Sequence, residues 1–582
     1  MEGDACPRAD PVDRVQLTVL ALLLLSGLIG LARGLSDAGG LGNGWYQGYA
    51  DPMNSLRVAK SLLLGLMCVA LCRDAVADGA AFAGRQLATG MLLGLVTVAV
   101  AVVWERLAYP GLFDFETVYR ATGLFWEMHV GGGAIDAYLA MAMPWAWWAV
   151  SVARRPWSRV ACAALAIVLI YVCVVTFSRN VYIAVALPAL GLAIATWLRP
   201  IGHPQRSTTE PGWPGRSGRP ANAMPDAAAN PARRLPGSRL SLLIWLLLAA
   251  VALSLPHWGG GSFLLNRLEN TGKVLDARLI HWQQALALPL TTADRIWGIG
   301  IGRFPARYDR DAPKGRFPGQ ISWHAKQREG AFDRDAVKLW ALLGRAESAA
   351  SYGLTQRVEI VPGVRYQLEL ELRSPTPTVL VAEVCERHLL YDWGCQYGLL
   401  RVFPDPSPWH RQTLQLQGPM FQPQPWYAPR LGMFMLTILD AGGEVDVSHV
   451  RLSAGNSPDL IRNGDFSGQL AHWFPAAQYH YLPWHVDSLY LELLVERGWT
   501  GLVVFLALVL LAMQRLWHAG QASRSMARFL AASLWGVLLV GAFGSVIDAP
   551  RIAFLACLLA FFAIQLPSDR EKMPLRAGTF RA

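Results

Sequence analysis

Long apolar runs with almost no charge recur along this chain, stop at about Pro256 and resume after Gly498. Crossing a hydrocarbon layer of ~30 Å takes about 20 helical residues, so runs near that length predict membrane-spanning helices. About ten qualify once weakly apolar flanks are included: Gln16–Leu35, Val58–Leu71, Leu87–Trp104, Gly133–Val152, Val160–Phe177, Val181–Leu198, Leu240–Leu255, Thr500–Met513, Phe529–Val546 and Ile552–Gln565. Between the seventh and eighth runs the period changes. Leu275, Leu279, Trp282 and Leu286 recur at helical spacing and predict an amphipathic helix on the membrane surface. From Val337 the alternation falls to two: Tyr366, Leu368, Leu370 and Leu372 point one way, Arg365, Gln367, Glu369, Glu371 and Arg373 the other. Short strands are expected at Val337–Leu343, Leu354–Val361, Arg365–Arg373, Thr378–Cys385, Gln412–Leu416, Leu431–Leu439 and Val445–Leu452, with Pro/Gly turns between them.

The predicted fold is therefore a multi-pass α-helical membrane protein of about ten spans, with a jelly-roll-like β-sandwich inserted between spans seven and eight. Its parts read as a transmembrane bundle (1–198), a basic linker (199–239) and the seventh span (240–255). A leading segment with the surface helix (256–336), the sandwich (337–455) and a trailing segment (456–498) follow. The last spans (499–567) and a basic tail (568–582) complete the chain. The linker, rich in Pro, Gly, Ala, Ser and Arg and without periodicity, predicts disorder.

Composition agrees: 53% of the 582 residues are hydrophobic and only 16% charged, for a mean hydropathy of +0.28. The net charge of +10 lies outside Pro256–Gly498, which holds about 24 basic and 24 acidic residues. Arg14, Arg73, Arg85, Arg154, Arg155, Arg159, the linker arginines, Arg515, Arg524 and Arg570 all fall on one side of a ten-span chain. The positive-inside rule makes that side cytoplasmic, with both termini on it and the inserted region exported. The basic excess thus reports topology and gives no reason to expect a nucleic-acid partner. Of eight cysteines, only Cys385 and Cys395 lie in the exported region, where they read as a disulfide closing a short loop. The triplets Asp309–Asp311 and Asp333–Asp335 read as solvated loop charges, and neither a metal nor another cofactor is expected.

Reactive residue types gather at the edges of the exported region. The leading edge carries Arg278 and the turn GIGIGRF (Gly298–Phe304); the trailing edge carries His485, Asp487 and Glu496, the last expected as an interfacial charge. Each edge is tied to a membrane helix, so the two should meet at the membrane surface. Arg179 sits in the tight corner SRN (Ser178–Asn180), Arg120 in an outward loop, and Asp548 and Arg551 flank the last outward turn, as an ion pair or with Arg551 as a further cation. Guanidinium groups fixed at an interface suit a diphosphate, because arginine stays charged and grips phosphate oxygens in pairs.

The ordered phrases YRATGLF (Tyr119–Phe125), AYLAMAMP (Ala137–Pro144), FSRN (Phe177–Asn180), RLIHWQQAL (Arg278–Leu286), GIGIGRF and DSLYLELLVERGWTGL (Asp487–Leu502) resemble the O-antigen ligase and polysaccharide polymerase superfamily of bacterial envelopes. The resemblance implies an enzyme of the bacterial inner membrane. Facing the periplasm, it would transfer a glycan from undecaprenyl diphosphate to a hydroxyl of a lipid or glycan acceptor. It also implies that Arg179 and Arg278 hold the diphosphate, with Arg551 and Arg120 beside them. The family's trailing phrase opens with His-Asn. Here Asp487 and Ser488 stand in those registers and His485 lies two residues upstream, so either His485 or Asp487 takes the proton of the acceptor, or no base is needed. Thr355–Ser374 and Leu460–Trp473 resemble carbohydrate-binding β-sandwich modules, which fits a glycan binder or a spacer equally. A lipid-linked glycan transporter and a non-catalytic glycan-binding protein are the competing readings.

Overall fold

The computed structural model describes residues 11–41, 51–125, 133–153, 155–197, 269, 271–311, 319–326, 334–342, 351–389, 391–404, 409–478, 485–520 and 523–567. Its helical part comprises α1 (Pro11–Asp37), α2 (Pro52–Ala108), α3 (Gly133–Val152), α4 (Pro156–Val175) and α5 (Arg179–Trp197). Short helices α6 (Thr271–Leu286), α7 (Thr292–Trp297) and α8 (Phe304–Asp311) precede the β domain, and α9 (Leu489–Trp517), α10 (Arg524–Gly541) and α11 (Pro550–Gln565) follow it. Among the described residues, four helices are long and apolar enough to cross a membrane: α1, α2, α4 and α9. Leu17, Met67, Val160 and Leu510 on these four helices are 69–74% exposed. Water would penalise such a surface and lipid does not, so the chain is a membrane protein carrying a β domain.

Ten spans are not what the described residues show. Runs two and three lie on one helical stretch, α5, α10 and α11 are only short apolar helices, and Leu240–Leu255 falls outside the described residues. Helix α3 lies at the centre. Every residue from Ala134 to Trp147 is buried, and α2, α4, α5, α10 and α11 all pack on it, as a helix apolar on all sides requires.

Helix α2 breaks its backbone only at Gly79, at φ 158°. A straight helix would hold Arg57 and Glu105 roughly 70 Å apart. Instead Arg57 binds Asp548, Arg551 three residues on binds the Leu124 carbonyl, and Glu105 binds the amides of Thr122 and Gly123. The stretch therefore doubles back at Gly79 and returns both ends to one face. That face also receives the end of α1 and the starts of α3, α5, α9 and α11.

The β domain is two five-stranded antiparallel sheets, β1-β2-β9-β4-β7 and β10-β3-β8-β5-β6. Its strands run from β1 (Gly319–His324) and β2 (Ala336–Ala341) through β3 (Ser351–Val358), β4 (Tyr366–Arg373), β5 (Thr378–His388), β6 (Tyr391–Val402) and β7 (His410–Gln415). Then come β8 (Leu431–Ile438), β9 (Glu444–Ala454) and β10 (Phe474–Gln478). The sheets thus reach beyond the 337–455 expected. The alternation read in β4 holds: Tyr366, Leu368, Leu370 and Leu372 are buried in the core between the sheets. Strand β6 escaped the reading because its pattern is inverted. It buries Gln396 and Gly398 and exposes Tyr397 and Leu399. The Gln396 amide is satisfied by the Tyr366 N–H and the carbonyls of Val364 and Pro419. Cys385 and Cys395 face each other across β5 and β6 and are disulfide-bonded.

Leading and trailing edges meet directly. The N–H groups of Ile299 and Gly300 donate to the carbonyls of Val495 and Glu496 (3.0 and 3.1 Å), and the Ile301 N–H donates to Gly30 of α1 (2.9 Å). Gly298 and Gly498 make this contact possible. Both have positive φ (82° and 67°), and a Cβ on Gly298 would lie 2.1 Å from the Glu496 carbonyl oxygen. Gly298→Ala should therefore destabilise the protein by about 2 kcal/mol or more. Gly90→Ala, in open helical space, should stabilise it by up to ~1 kcal/mol. Thermal unfolding in detergent or nanodiscs would measure both.

Candidate functional site

The site grows from the GIGIGRF turn. Once the turn passes between α1 and α9, its next amides point at the first turns of α9. The Gly302 and Phe304 N–H groups donate to the two oxygens of Glu496 (2.7 and 3.0 Å). Glu496 is buried, a backbone-binding anchor where an interfacial charge was expected. The Gly302 carbonyl accepts from the Asn54 side chain (2.6 Å), drawing in the start of α2. Arg57, one turn later, donates to the Asn54 amide oxygen (2.9 Å) and grips Asp548 through both its carboxylate and its backbone carbonyl. On the other side of Asp548, His485 Nδ1 lies 3.4 Å from Oδ2. Asn54, Gly302, Phe304, Pro305, His485, Val486, Glu492, Glu496 and Asp548 line a small cavity.

Arg278 stands beside this cluster. Its Nε lies 3.0 Å from Asp487 Oδ2 and its Nη1 donates to the Phe543 carbonyl (2.9 Å). The apolar stripe of α6 explains this placement. Leu275, Leu279 and Leu286 face outward, while His281 and Ala285 are buried against the site, and His281 Nε2 contacts the His485 carbonyl at 2.7 Å. Asp487 has φ 58°, a conformation that Asp tolerates better than most residues. Burial raises its pKa above the ordinary carboxylate range, against the pull of Arg278 and His485.

The other arginines gather around the loop after α2. Arg120 donates from Nε to the Thr176 carbonyl (2.8 Å) and from its backbone to Tyr391 Oη in the β domain (2.9 Å). Thr176 is three residues before Arg179, which opens α5 after Ser178 has bonded Asp136. Phe177 between them has φ 46°, an outlier for an aromatic residue and a sign of a corner held by its surroundings. Arg551 donates to the Leu124 carbonyl (3.1 Å) and lies 5.4 Å above the Phe125 ring. Glu105, buried, fastens the loop by accepting from Tyr119 Oη and from the Thr122 and Gly123 amides.

Of the residues singled out from sequence, Arg120, Arg179 and Arg551 thus share one corner. Arg278, His485 and Asp487 share another, and the Phe543–Arg551 turn links the two. Asp487 is engaged with Arg278, and the pairing considered for Asp548 with Arg551 is replaced by contacts to Arg57 and His485. Sequence reading passed over Asn54, Arg57, Glu105 and His281. Asn54, Arg57 and Glu105 lie near helix ends, where a polar residue reads as ordinary flank, and His281 lies within α6 on the face opposite its leucines. Of the two acidic triplets, the first lies on α8, with Asp311 paired to Arg307 and Arg310; part of the second lies outside the described residues. No family model matches this chain. No curated protein and no solved structure matches it either.

Arg278→Ala should expose the pairing energy. Because the folded-state pKa of Asp487 is raised, stability falls as the pH rises above the ordinary carboxylate value and levels off once the folded-state group has ionised, and removing the guanidinium enlarges this cost. The variant should lose about 3 kcal/mol at neutral pH. It should lose less in acid, where Asp487 is protonated in both proteins. Adding Asp487→Asn should recover part of the loss at neutral pH. Unfolding midpoints across pH would test the sign.

Proposed function

We propose that this protein transfers a glycan from a polyprenyl diphosphate to an acceptor hydroxyl, in the manner of an O-antigen ligase or polysaccharide polymerase. In this reading the chain lies in the bacterial inner membrane, with both termini in the cytoplasm and the β domain in the periplasm. One observation carries the reading. An imidazole–carboxylate pair, His485 with Asp548, lies beside the Arg278–Asp487 pair at the end of an apolar bundle where Arg120, Arg179 and Arg551 also collect. Ordered phrases in the sequence point to the same class.

In this mechanism the acceptor hydroxyl enters the cavity beside His485 and attacks the anomeric carbon of the lipid-linked sugar. The bond from that carbon to the diphosphate oxygen breaks, and the electron pair leaves on the diphosphate. Arginines receive the developing charge, a contribution of roughly 10²–10³ in rate for each well-placed donor. Asp548 favours the tautomer of His485 with its proton on Nδ1, which puts the lone pair on Nε2, the atom that takes the hydroxyl proton. Asp487 then acts as the orienter of Arg278. Its contact fixes the guanidinium plane, so the proton-accepting role falls to His485.

Arg278→Lys and Arg179→Lys should each lower transfer by about 10²–10³, and Asp548→Asn by roughly 10²–10⁴, with the protein still inserted and folded. The assay is transfer from purified lipid-linked glycan to acceptor. Deleting the gene should accumulate lipid-linked polymer if the protein is a ligase, and single repeat units if it is a polymerase. Unchanged glycans with altered export of a small solute would favour the transporter reading and overturn this one.

A further inference from the structure

One turn of the β domain has a composition its position in water does not explain. Between the short β7 strand and β8 the chain makes a turn closed by the Ala428 N–H donating to the Pro425 carbonyl (3.0 Å). Trp426 and Tyr427 form its tip. Trp426 is 90% exposed and Tyr427 50%, their rings edge to face 6.0 Å apart. Large aromatic side chains seldom stand so far into water without a surface to meet.

The base of this turn is held firmly. Gln424 donates to Glu386 (2.9 Å) and accepts from the Arg430 N–H (2.9 Å); Arg430 in turn pairs with Glu386 (3.1 Å). Ala428 is buried against Tyr109 and Tyr119, and Tyr109 donates its hydroxyl to the Pro429 carbonyl (2.8 Å). Tyr109 directly follows α2, a membrane helix. The tip is thus two residues from an attachment to the place where that helix leaves the lipid. Leu107, Phe113 and Val118, on the same Tyr109–Tyr119 segment and its approach, are each at least 61% exposed. Aliphatic groups beside Trp and Tyr at the end of a membrane helix fit the headgroup layer, where amphipathic aromatic rings settle. A glycan seat would instead use hydrogen-bonding groups around the ring, whereas Gln424, Glu386 and Arg430 at the base of the turn are engaged with one another.

We propose that the Pro425–Ala428 turn is a membrane anchor. Trp426 and Tyr427 sit in the lipid headgroup layer and hold the β domain down on the bilayer beside the Arg120 loop. This rests on the chain being a membrane protein and does not depend on the transferase reading.

The test uses the full chain in nanodiscs, with an environment-sensitive fluorescent amino acid in place of Trp426. A second protein carries the same probe in place of Phe403. That residue is 65% exposed and follows the far end of β6, roughly 40 Å from its membrane-proximal start by strand rise. Lipids spin-labelled near the headgroup should quench the probe at 426 several-fold more than at 403, and its emission should shift to the blue on moving from detergent to lipid. Equal quenching at the two positions would overturn the anchor. So would a signal at 426 that is indifferent to the lipid quencher but altered by added soluble oligosaccharide, which would make the turn a glycan contact.

Discussion

Glu496 accepting the amides of Gly302 and Phe304 is the contact on which the rest of this end of the molecule depends. A carboxylate inside an apolar bundle is costly unless its oxygens are engaged, and here two backbone donors engage both. In doing so they force the GIGIGRF turn against α9, which brings Asn54 to the Gly302 carbonyl, Arg57 to Asp548, and Asp548 to His485. Each buried charge in this chain of contacts is satisfied by the next. The arrangement is specific because few other placements would satisfy all of them together.

The β domain belongs to the same arrangement. Its β5–β6 end stacks His388 on Tyr109 at a ring separation of 3.6 Å and sets Tyr391 against Tyr119, tilted, at 4.5 Å. Tyr391 also receives the Arg120 N–H. Glu105 holds the loop from beneath and the aromatic rings hold it from above, so Arg120 is fixed between a membrane helix and a disulfide-bonded pair of strands.

Much of this architecture is legible in the sequence, because burial of apolar side chains leaves a period. A helix, α6, covers the residues of the Leu275–Leu286 stripe, and β4 buries alternate residues as read. What could not be read has the opposite physics. Strand β6 buries a glutamine and a glycine and exposes a tyrosine and a leucine, so its period points the wrong way. Helix α2 shows two runs but nothing in them says that they share one helical stretch broken at a single glycine. The site was half visible: His485, Asp487 and the four arginines carry recognisable chemistry, and the structure groups them into two adjoining corners. Arg57, Asn54 and Glu105 were invisible because a polar residue at a helix end looks the same whether it is solvated or holds a buried carboxylate. Glu496 was misjudged for that reason, since its partners are backbone amides nearly two hundred residues away in the chain.

That separation has a bearing on how the protein is made. Gly302 and Glu496 lie 194 positions apart, and the whole β domain is synthesised between them. Until the ribosome has delivered α9, the GIGIGRF turn has no carboxylate to bind, and Asp548 arrives later still. Contacts of such long range form late and slowly. Asn54 and Gly30 of α1 meet their partners as soon as Gly302 and Ile301 are made, but Arg57 waits for Asp548, so the pocket is complete only when the last helices insert.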